Sequence, residues 1–299
     1  MAKDFTLLID AASLIFRAFF STPDTVRSPS GELVNAAHGF LGMVARLIHD
    51  RDPDYICCAD DEDWRPAWRV DLIESYKTFR AEPGSAQEQA EDLLGPQLPV
   101  LFEILDLCGI PVIGHPNHEA EDVIGTLAAR APGPVGIVSG DRDLFQLVRD
   151  PEISVLYPRK GVSELDVVNE DYIASKYGIP GNAYKDFAIL RGDPSDGLPG
   201  VRGIGQKLAA ELVTRYGSID GVVEAAESSE PGVAIAKVRR ELDYVTRAIK
   251  VVMIPTDLPI PKIDLTRPRV APDDSVYKLA EQHGLGNAVR RLGAAIEGT

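Results

Sequence analysis

Nine carboxylates stand where strands end or helices begin: Asp10, Asp60, Glu119, Glu121, Asp122, Asp141, Asp143, Asp193 and Asp196. Four of the five clusters they form follow or abut an apolar run. A folded interior gathers so many acids only with cations to neutralise them, because an unpaired buried carboxylate costs several kcal/mol or gives up its charge. The pattern points to a divalent-metal site. Two ions roughly 4 Å apart lower the pKa of an attacking water and stabilise the leaving oxygen of an in-line phosphoryl displacement. Oxygen ligands suit Mg²⁺ or Mn²⁺. Asp141/Asp143 and Asp193/Asp196 sit two and three residues apart, close enough to serve one site from a turn. Singly, Asp141 or Asp193 reads equally well as a helix cap, and Glu119-Ala120-Glu121-Asp122 as a first turn complementing the helix dipole. Three acids in four residues exceed what a cap needs.

Residues 61–95 form a polar stretch rich in charge in which cations are interleaved with aromatics: Trp64, Trp68, Tyr76 and Phe79 among Arg65, Arg69, Lys77 and Arg80, closing on a Pro-Gly-Ser turn. Here Arg69, Lys77 and Arg80 are candidates to reach a scissile phosphodiester, and Tyr76 or Phe79 to stack on an unpaired base. The plainer reading is a solvated charged face. Arg17, seven residues past Asp10, is a further candidate. Gly200, Gly203 and Gly205, with Arg202 and Lys207 beside them, allow tight turns whose N–H groups approach a phosphate closely. Their spacing matches neither GxxxxGK nor GxGxxG, so an ATP or NAD site is not expected. A sequence-blind hold on duplex backbone fits, and oxygens of the same hairpin are suited to a monovalent ion.

Positioning these groups requires a sheet. Apolar runs at Phe5–Ile9, Tyr55–Ala59, Pro111–Ile113, Val135–Ser139 and Ile153–Tyr157 alternate with helical patterns at 35–50, 96–108, 119–131 and 141–149. That alternation predicts βαβ units and a mostly parallel sheet. Ligands of such sheets gather at the carboxyl ends of strands, where Asp10, Asp60 and Asp141 fall. Residues 61–95 read as an insertion over that edge. After about 180 the pattern turns helical, with the glycine hairpin ahead of a helix at Gln206–Tyr216, then a Pro-rich connector and one last helix near 275–293.

The 299 residues are 44% apolar and 26% charged, a globular balance with room for one large domain or two modest ones. A net charge of −15 argues at first against a nucleic-acid partner. The nine acids make up more than half of that excess, however, and bound cations reverse the local field. No segment approaches the roughly 18 apolar residues of a membrane span, and no leader precedes the first strand. A cytoplasmic protein is expected. Cys57, Cys58 and Cys108 show neither a disulfide framework nor zinc spacing.

Leu8-Ile9-Asp10, Glu119 to Ile124, Ser139-Gly140-Asp141-Arg142-Asp143-Leu144 and Gly192 to Gly205 resemble, in order, the motifs of the 5′-3′ exonuclease and flap endonuclease family, which includes the N-terminal nuclease domain of bacterial DNA polymerase I. The resemblance covers roughly residues 4–250 and implies a PIN-like α/β core with a mostly parallel central sheet flanked by helices. It places that core at 1–180, with a helical arch at 61–95, and a helical DNA-binding domain with a helix–two-turn–helix element and tail at 181–299. By position, Asp10, Asp60, Glu119, Glu121 and Asp141 surround a first metal, with Asp122 nearby, and Asp143, Asp193 and Asp196 a second. Tyr76, Lys77 and Arg80, with Arg69 before them, match the arch motif, whose lysine steers the phosphate. Gly200 to Lys207 match the duplex-holding element with its K⁺ site.

Two departures stand out. Glu121 replaces the family's usual Asp, and Asp60-Asp61-Glu62-Asp63 is unusually acidic; either feature would admit a third divalent ion. The expectation is a free-standing, monomeric, metal-dependent nuclease cutting DNA at 5′ flaps, nicks or frayed ends, in functional company with DNA polymerase I. The alternatives are an inactive flap-type DNA-binding protein and a PIN-type ribonuclease.

Overall fold

A computed structural model describes residues 4–80, 90 and 92–298. One sheet holds β1 (Thr6–Asp10), β2 (Tyr55–Ala59), β3 (Val112–Ile113), β4 (Val135–Val138), β5 (Ile153–Lys160) and β6 (Glu164–Val168), in the order β3-β2-β1-β4-β5-β6. The pairs among β1 to β5 are parallel, and β6 returns antiparallel to β5. The hairpin strand β6 is absent from the sequence reading because most of its residues are exposed or half-buried, so no apolar run marks it.

The chain steps outward from β1 to β2 and β3, then returns to pair β4 with the other side of β1. The carboxyl ends of β1 and β4 therefore adjoin at the point where strand order reverses, and a crevice opens there. Asp10 ends β1, and Ser139-Gly140-Asp141 follows β4.

Leu7 and Ile9 face one layer and Leu8 the other, as the two-residue period of a strand requires. The first layer holds α1 (Ala11–Ser21), α2 (Asn35–Arg51) and α4 (Leu98–Leu107). The second begins with α5 (Ala120–Arg130) and continues through α6 (Glu170–Tyr177), α7 (Tyr184–Arg191), α8 (Gln206–Tyr216), α9 (Ile219–Glu227), α10 (Val233–Arg240) and α11 (Leu242–Val252). The chain then crosses back: Ile56 N–H donates to Leu265 O at 2.8 Å, and buried Arg267 pairs with Asp52 at 2.6 Å. Instead of one last helix there are two, α12 (Asp274–Gln282) and α13 (Gly286–Glu297), divided at Gly284, whose φ is +71°. α13 packs along α2, in the first layer.

Two further expectations change. The helix expected over 141–149 is a short 3₁₀ segment, Asp143–Leu147, because the Asp141 carboxylate takes the Asp143 N–H at 2.8 Å and holds a turn instead. The described residues of the insertion include a short helix, α3 (Ala67–Leu72), a 3₁₀ turn at Thr78–Arg80 and helical residues at 90 and 92–94. Its residues 81–89 and 91, with the Pro-Gly-Ser turn, lie outside the described residues. Among the described residues no helix is long and apolar enough to cross a membrane.

Candidate metal centre and nucleic-acid interface

A cavity of about 960 Å³ opens at the β1/β4 edge. Asp10, Asp60, Asp61, Glu121 and Asp141 line one side with Lys77, Arg80 and Arg17, while Ile15, Phe16, Phe20, Leu94 and Leu98 make an apolar side. Asp10 caps α1 by accepting the Ser13 N–H at 3.0 Å, and its second oxygen accepts the Ser139 hydroxyl. The same hydroxyl accepts the Asp141 N–H at 2.9 Å, and the Gly140 N–H reaches Ser13 Oγ at 3.1 Å. Ser13 and Ser139 thus tie the ends of β1 and β4 together, a role that neighbouring acids mask in the sequence. Burial pushes Asp10 and Asp60 up to about 7, and Asp61 up to about 6.

Asp61, which the sequence presents only as part of an acidic run, turns inward and caps α5 by accepting the Ala120 N–H at 2.6 Å. Asp60 lines the cavity beside it. Glu62 leans against Gly114, and Asp63 accepts the Arg65 N–H at 3.1 Å.

The acids that open α5 are met by cations of the chain. Glu119 accepts from Arg69 and Lys77, and from the Tyr76 hydroxyl at 2.6 Å. Arg69 also pairs with Glu121 at 3.1 Å and with Asp122 at 2.7 Å. Asp122 Oδ2 takes the Glu119 N–H at 3.3 Å, completing a capping box. Asp122 is thus a cap and an ion-pair partner in this structure, one step back from the cavity. Burial works against the charge of Glu119, but Lys77 and Arg69 hold its carboxyl below the usual range. Glu121 is driven well above that range by burial and by Glu119.

Arg69, Tyr76 and Lys77 are 0%, 3% and 4% exposed. Lys77 lines the cavity, whereas Arg69 and Tyr76 face the acids of α5 and not the cavity where the sequence would set them on a phosphate or a base. Phe79, 46% exposed, keeps a free face at the cavity. Lys77 has φ +48° and its N–H donates to Asp196 O at 2.9 Å, while Arg80 donates to Ser195 O and Asp196 Oδ1 at 2.8 and 2.9 Å. At Gly197 a Cβ would stand 1.9 Å from Ser75 O. The base of the insertion is therefore seated on the loop that carries Asp193 and Asp196.

That loop and the turn after β4 form the other acid group. Asp193 accepts the Ser195 N–H at 2.9 Å and pairs with Arg191 at 3.1 Å and Arg142 at 3.5 Å. Burial, then Asp141, Asp196 and Asp193, push Asp143 well above the usual range, and burial with Asp141 pushes Asp196 up to about 6. Asp141 also raises Asp10, Asp61 and Glu121, so its charge is felt on both sides of the pit.

In the hairpin, Gly200 is buried with φ +69°, and a Cβ there would meet Arg191 at 2.5 Å. It is a close-packing residue rather than a surface contact. Arg202, Gly203, Gly205 and Lys207 are exposed, Gly205 caps α8, and Lys237 Nζ donates to Gly203 O at 2.7 Å.

Among the described residues no three acids, histidines or cysteines form a ready cage for an ion. The donor set still suits hard divalent cations: it is all oxygen, and Asp10, Asp60, Glu121, Asp143 and Asp196 are raised by burial and by neighbouring acids, the condition a multivalent cation relieves. Residues 5–178 match the family model for the 5′-3′ exonuclease N-terminal resolvase-like domain, and 179–275 that for the 5′-3′ exonuclease C-terminal SAM fold. The chain belongs to the 5′-3′ exonuclease family. Among members of the 5′-3′ exonuclease family, the 5′-3′ exonuclease of Streptomyces coelicolor is 44% identical over 295 residues, 96% of this chain and 98% of the relative. DNA polymerase I of Mycobacterium tuberculosis is 38% identical over 263 residues, 87% of this chain and 28% of the polymerase. The same fold appears in a bacteriophage T5 flap endonuclease solved with DNA and metal ions, at TM-score 0.66 and 15% identity over 98% of this chain and 99% of that one.

Proposed function

We propose that this 5′-3′ exonuclease family member hydrolyses DNA phosphodiesters with divalent cations, at 5′ ends and at the base of 5′ flaps, leaving 5′-phosphate and 3′-hydroxyl ends. The observation that carries this reading is the convergence of acids from distant segments at one sheet edge, facing Lys77 and Arg80 of the insertion. Asp10, Asp60, Glu121 and Asp141 are placed to hold one ion, with Glu119 behind them, and Asp143, Asp193 and Asp196 to hold a second with Asp141 between. Mg²⁺ or Mn²⁺ held there supplies the activation of an attacking water and the neutralisation of a leaving oxygen.

The chain's own groups do the rest. Lys77, at the cavity edge, steers the scissile phosphate once it leaves Glu119, and Arg80 and Arg17 add charge on the same wall. Phe79 and Phe20 offer exposed faces to an unpaired base. Opening the terminal pairs costs a few kcal/mol, which favours frayed or flapped ends over intact duplex. Arg202, Lys207 and the backbone of the hairpin grip duplex phosphates without reading sequence, and the hairpin carbonyls are the place for K⁺. We place the protein in the cytoplasm as a monomer, working beside DNA polymerase I.

A labelled 5′-flap duplex incubated with Mg²⁺ is expected to yield short 5′-phosphorylated products that vanish in EDTA. Binding without cleavage under Mg²⁺ and Mn²⁺ would reverse the reading in favour of an inactive binding protein. Faster cleavage of an RNA flap than of a DNA flap would favour a ribonuclease.

A further inference from the structure

Arg69 is the largest fully buried side chain among the described residues, and it stands in the wall of the acid pit without lining the cavity. One arm of its guanidinium, Nη1, contacts Glu119 and reaches Glu121 at 3.1 Å, and the other, Nη2, reaches Asp122 at 2.7 Å. Nε has no hydrogen-bond partner, so the fork is given wholly to carboxylates. The guanidinium carbon lies 4.9 Å from the Trp68 ring centroid and 5.8 Å from that of Tyr76, which fixes the cation from the sides. Lys77, the other cation on Glu119, lines the cavity from a backbone with positive φ and is free to be exchanged for substrate; Arg69 has nowhere to go.

We propose that Arg69 is a resident counter-ion, a positioning residue that neutralises the acids opening α5 in place of a dissociable cation. The triad then keeps its shape in the metal-free protein, and soluble cations are directed to the remaining acids. A planar fork suits this task, because it meets several carboxylates at fixed angles where a lysine offers one point charge. Its charge also meets the Glu119 and Asp122 carboxylates directly in a dry wall, where an unpaired acid would be costly. Arg69 has this role only if the pit takes divalent cations at all, as proposed above.

The test counts Mn²⁺ per chain by electron paramagnetic resonance and follows melting in EDTA and in MnCl₂, without DNA. Arg69→Met is expected to lower Tm in EDTA, to regain more of it on Mn²⁺ addition than the wild type does, and to bind one Mn²⁺ more. Arg69→Lys is expected to keep the wild-type count. An unchanged count and an unchanged Mn²⁺-induced gain in Arg69→Met would overturn the assignment. If Arg69→Met is unfolded with and without Mn²⁺, adding Asp122→Asn decides: recovered folding supports neutralisation, and no recovery leaves Arg69 a packing residue and the proposal false. A wild-type chain that binds no Mn²⁺ would instead sink the cation-site reading itself.

Discussion

The acids that open α5 and those of the Asp143 and Asp193–Asp196 group are buried alike, yet their charges are met differently. Glu119 and Asp122 share a guanidinium that is 0% exposed, and Glu119 takes an ammonium and a phenol as well. Across the pit the cations are peripheral: the side chains of Arg80, Arg142 and Arg191 are 27%, 40% and 17% exposed, and they pair with Asp196 and Asp193. No ion pair reaches Asp143 among the described residues. Burying an acid is tolerable when its counter-charge is part of the fold, and otherwise the demand passes to protons or soluble cations. One pit thus holds a wall that is finished on folding and a wall that is finished by what binds.

Asp141 belongs to both walls, so removing its charge is the strongest way to break the contrast. Asp141→Asn keeps an oxygen for the Asp143 N–H and should preserve the turn. Turnover on a 5′-flap duplex in Mg²⁺ should fall by at least about a hundredfold, given the several kcal/mol that a divalent centre supplies. Affinity for the same duplex, measured in Ca²⁺, should change only a few-fold. A variant that retains half its turnover would show that the two walls do not share this residue.

The second break separates the insertion from the less neutralised wall. Gly197 has φ +69°, and a Cβ there would sit 1.9 Å from Ser75 O, so Gly197→Ala meets both backbone strain and a clash with main chain. Together these should cost about 2–5 kcal/mol in urea unfolding. Loss of turnover should exceed what the unfolded fraction explains, because Lys77 and Arg80 are seated on Asp196. Wild-type stability in Gly197→Ala would mean that this seat is not packed as described.

How much of this the sequence discloses depends on what each residue does locally. The sheet and the acid edge are legible because central strands are buried on both faces and leave continuous apolar runs, and those of β1, β2 and β4 lead to Asp10, Asp60 and Asp141. The short strand β6 is invisible for the opposite reason. Arg69 and Tyr76 read as surface clamp residues because a basic, aromatic stretch looks the same whether its charges meet solvent or buried acids; only the fold puts Glu119 and Asp122 beside them. Asp61 is hidden in a run whose members point three ways. The division of the last helix at Gly284 is written in the chain, but one glycine in a helical pattern is weak punctuation.

The smallest expected effect is also the one that separates the two walls most directly, through pH. Burial raises Asp10 and Asp60 to about 7 and Asp196 to about 6, above what an unfolded chain would show. Between the ordinary carboxylate range and those values the folded, metal-free chain holds protons that the unfolded chain has released. Their contribution to stability is full at low pH and declines as pH rises toward about 7. Glu119 behaves oppositely: its carboxyl is held low, so its contribution is present above the usual carboxylate range and is lost only as pH falls through it. Urea unfolding in EDTA should therefore give a lower midpoint at pH 7.5 than at pH 5.5, and Mg²⁺ should raise it more at the higher pH, where protons no longer compete. Asp10→Asn should flatten that slope, whereas Glu119→Gln should lower both midpoints by a similar amount. Were the EDTA midpoint to climb between the two pH values, or Glu119→Gln to act on one alone, the two walls would not differ in the way their burial and pairing require.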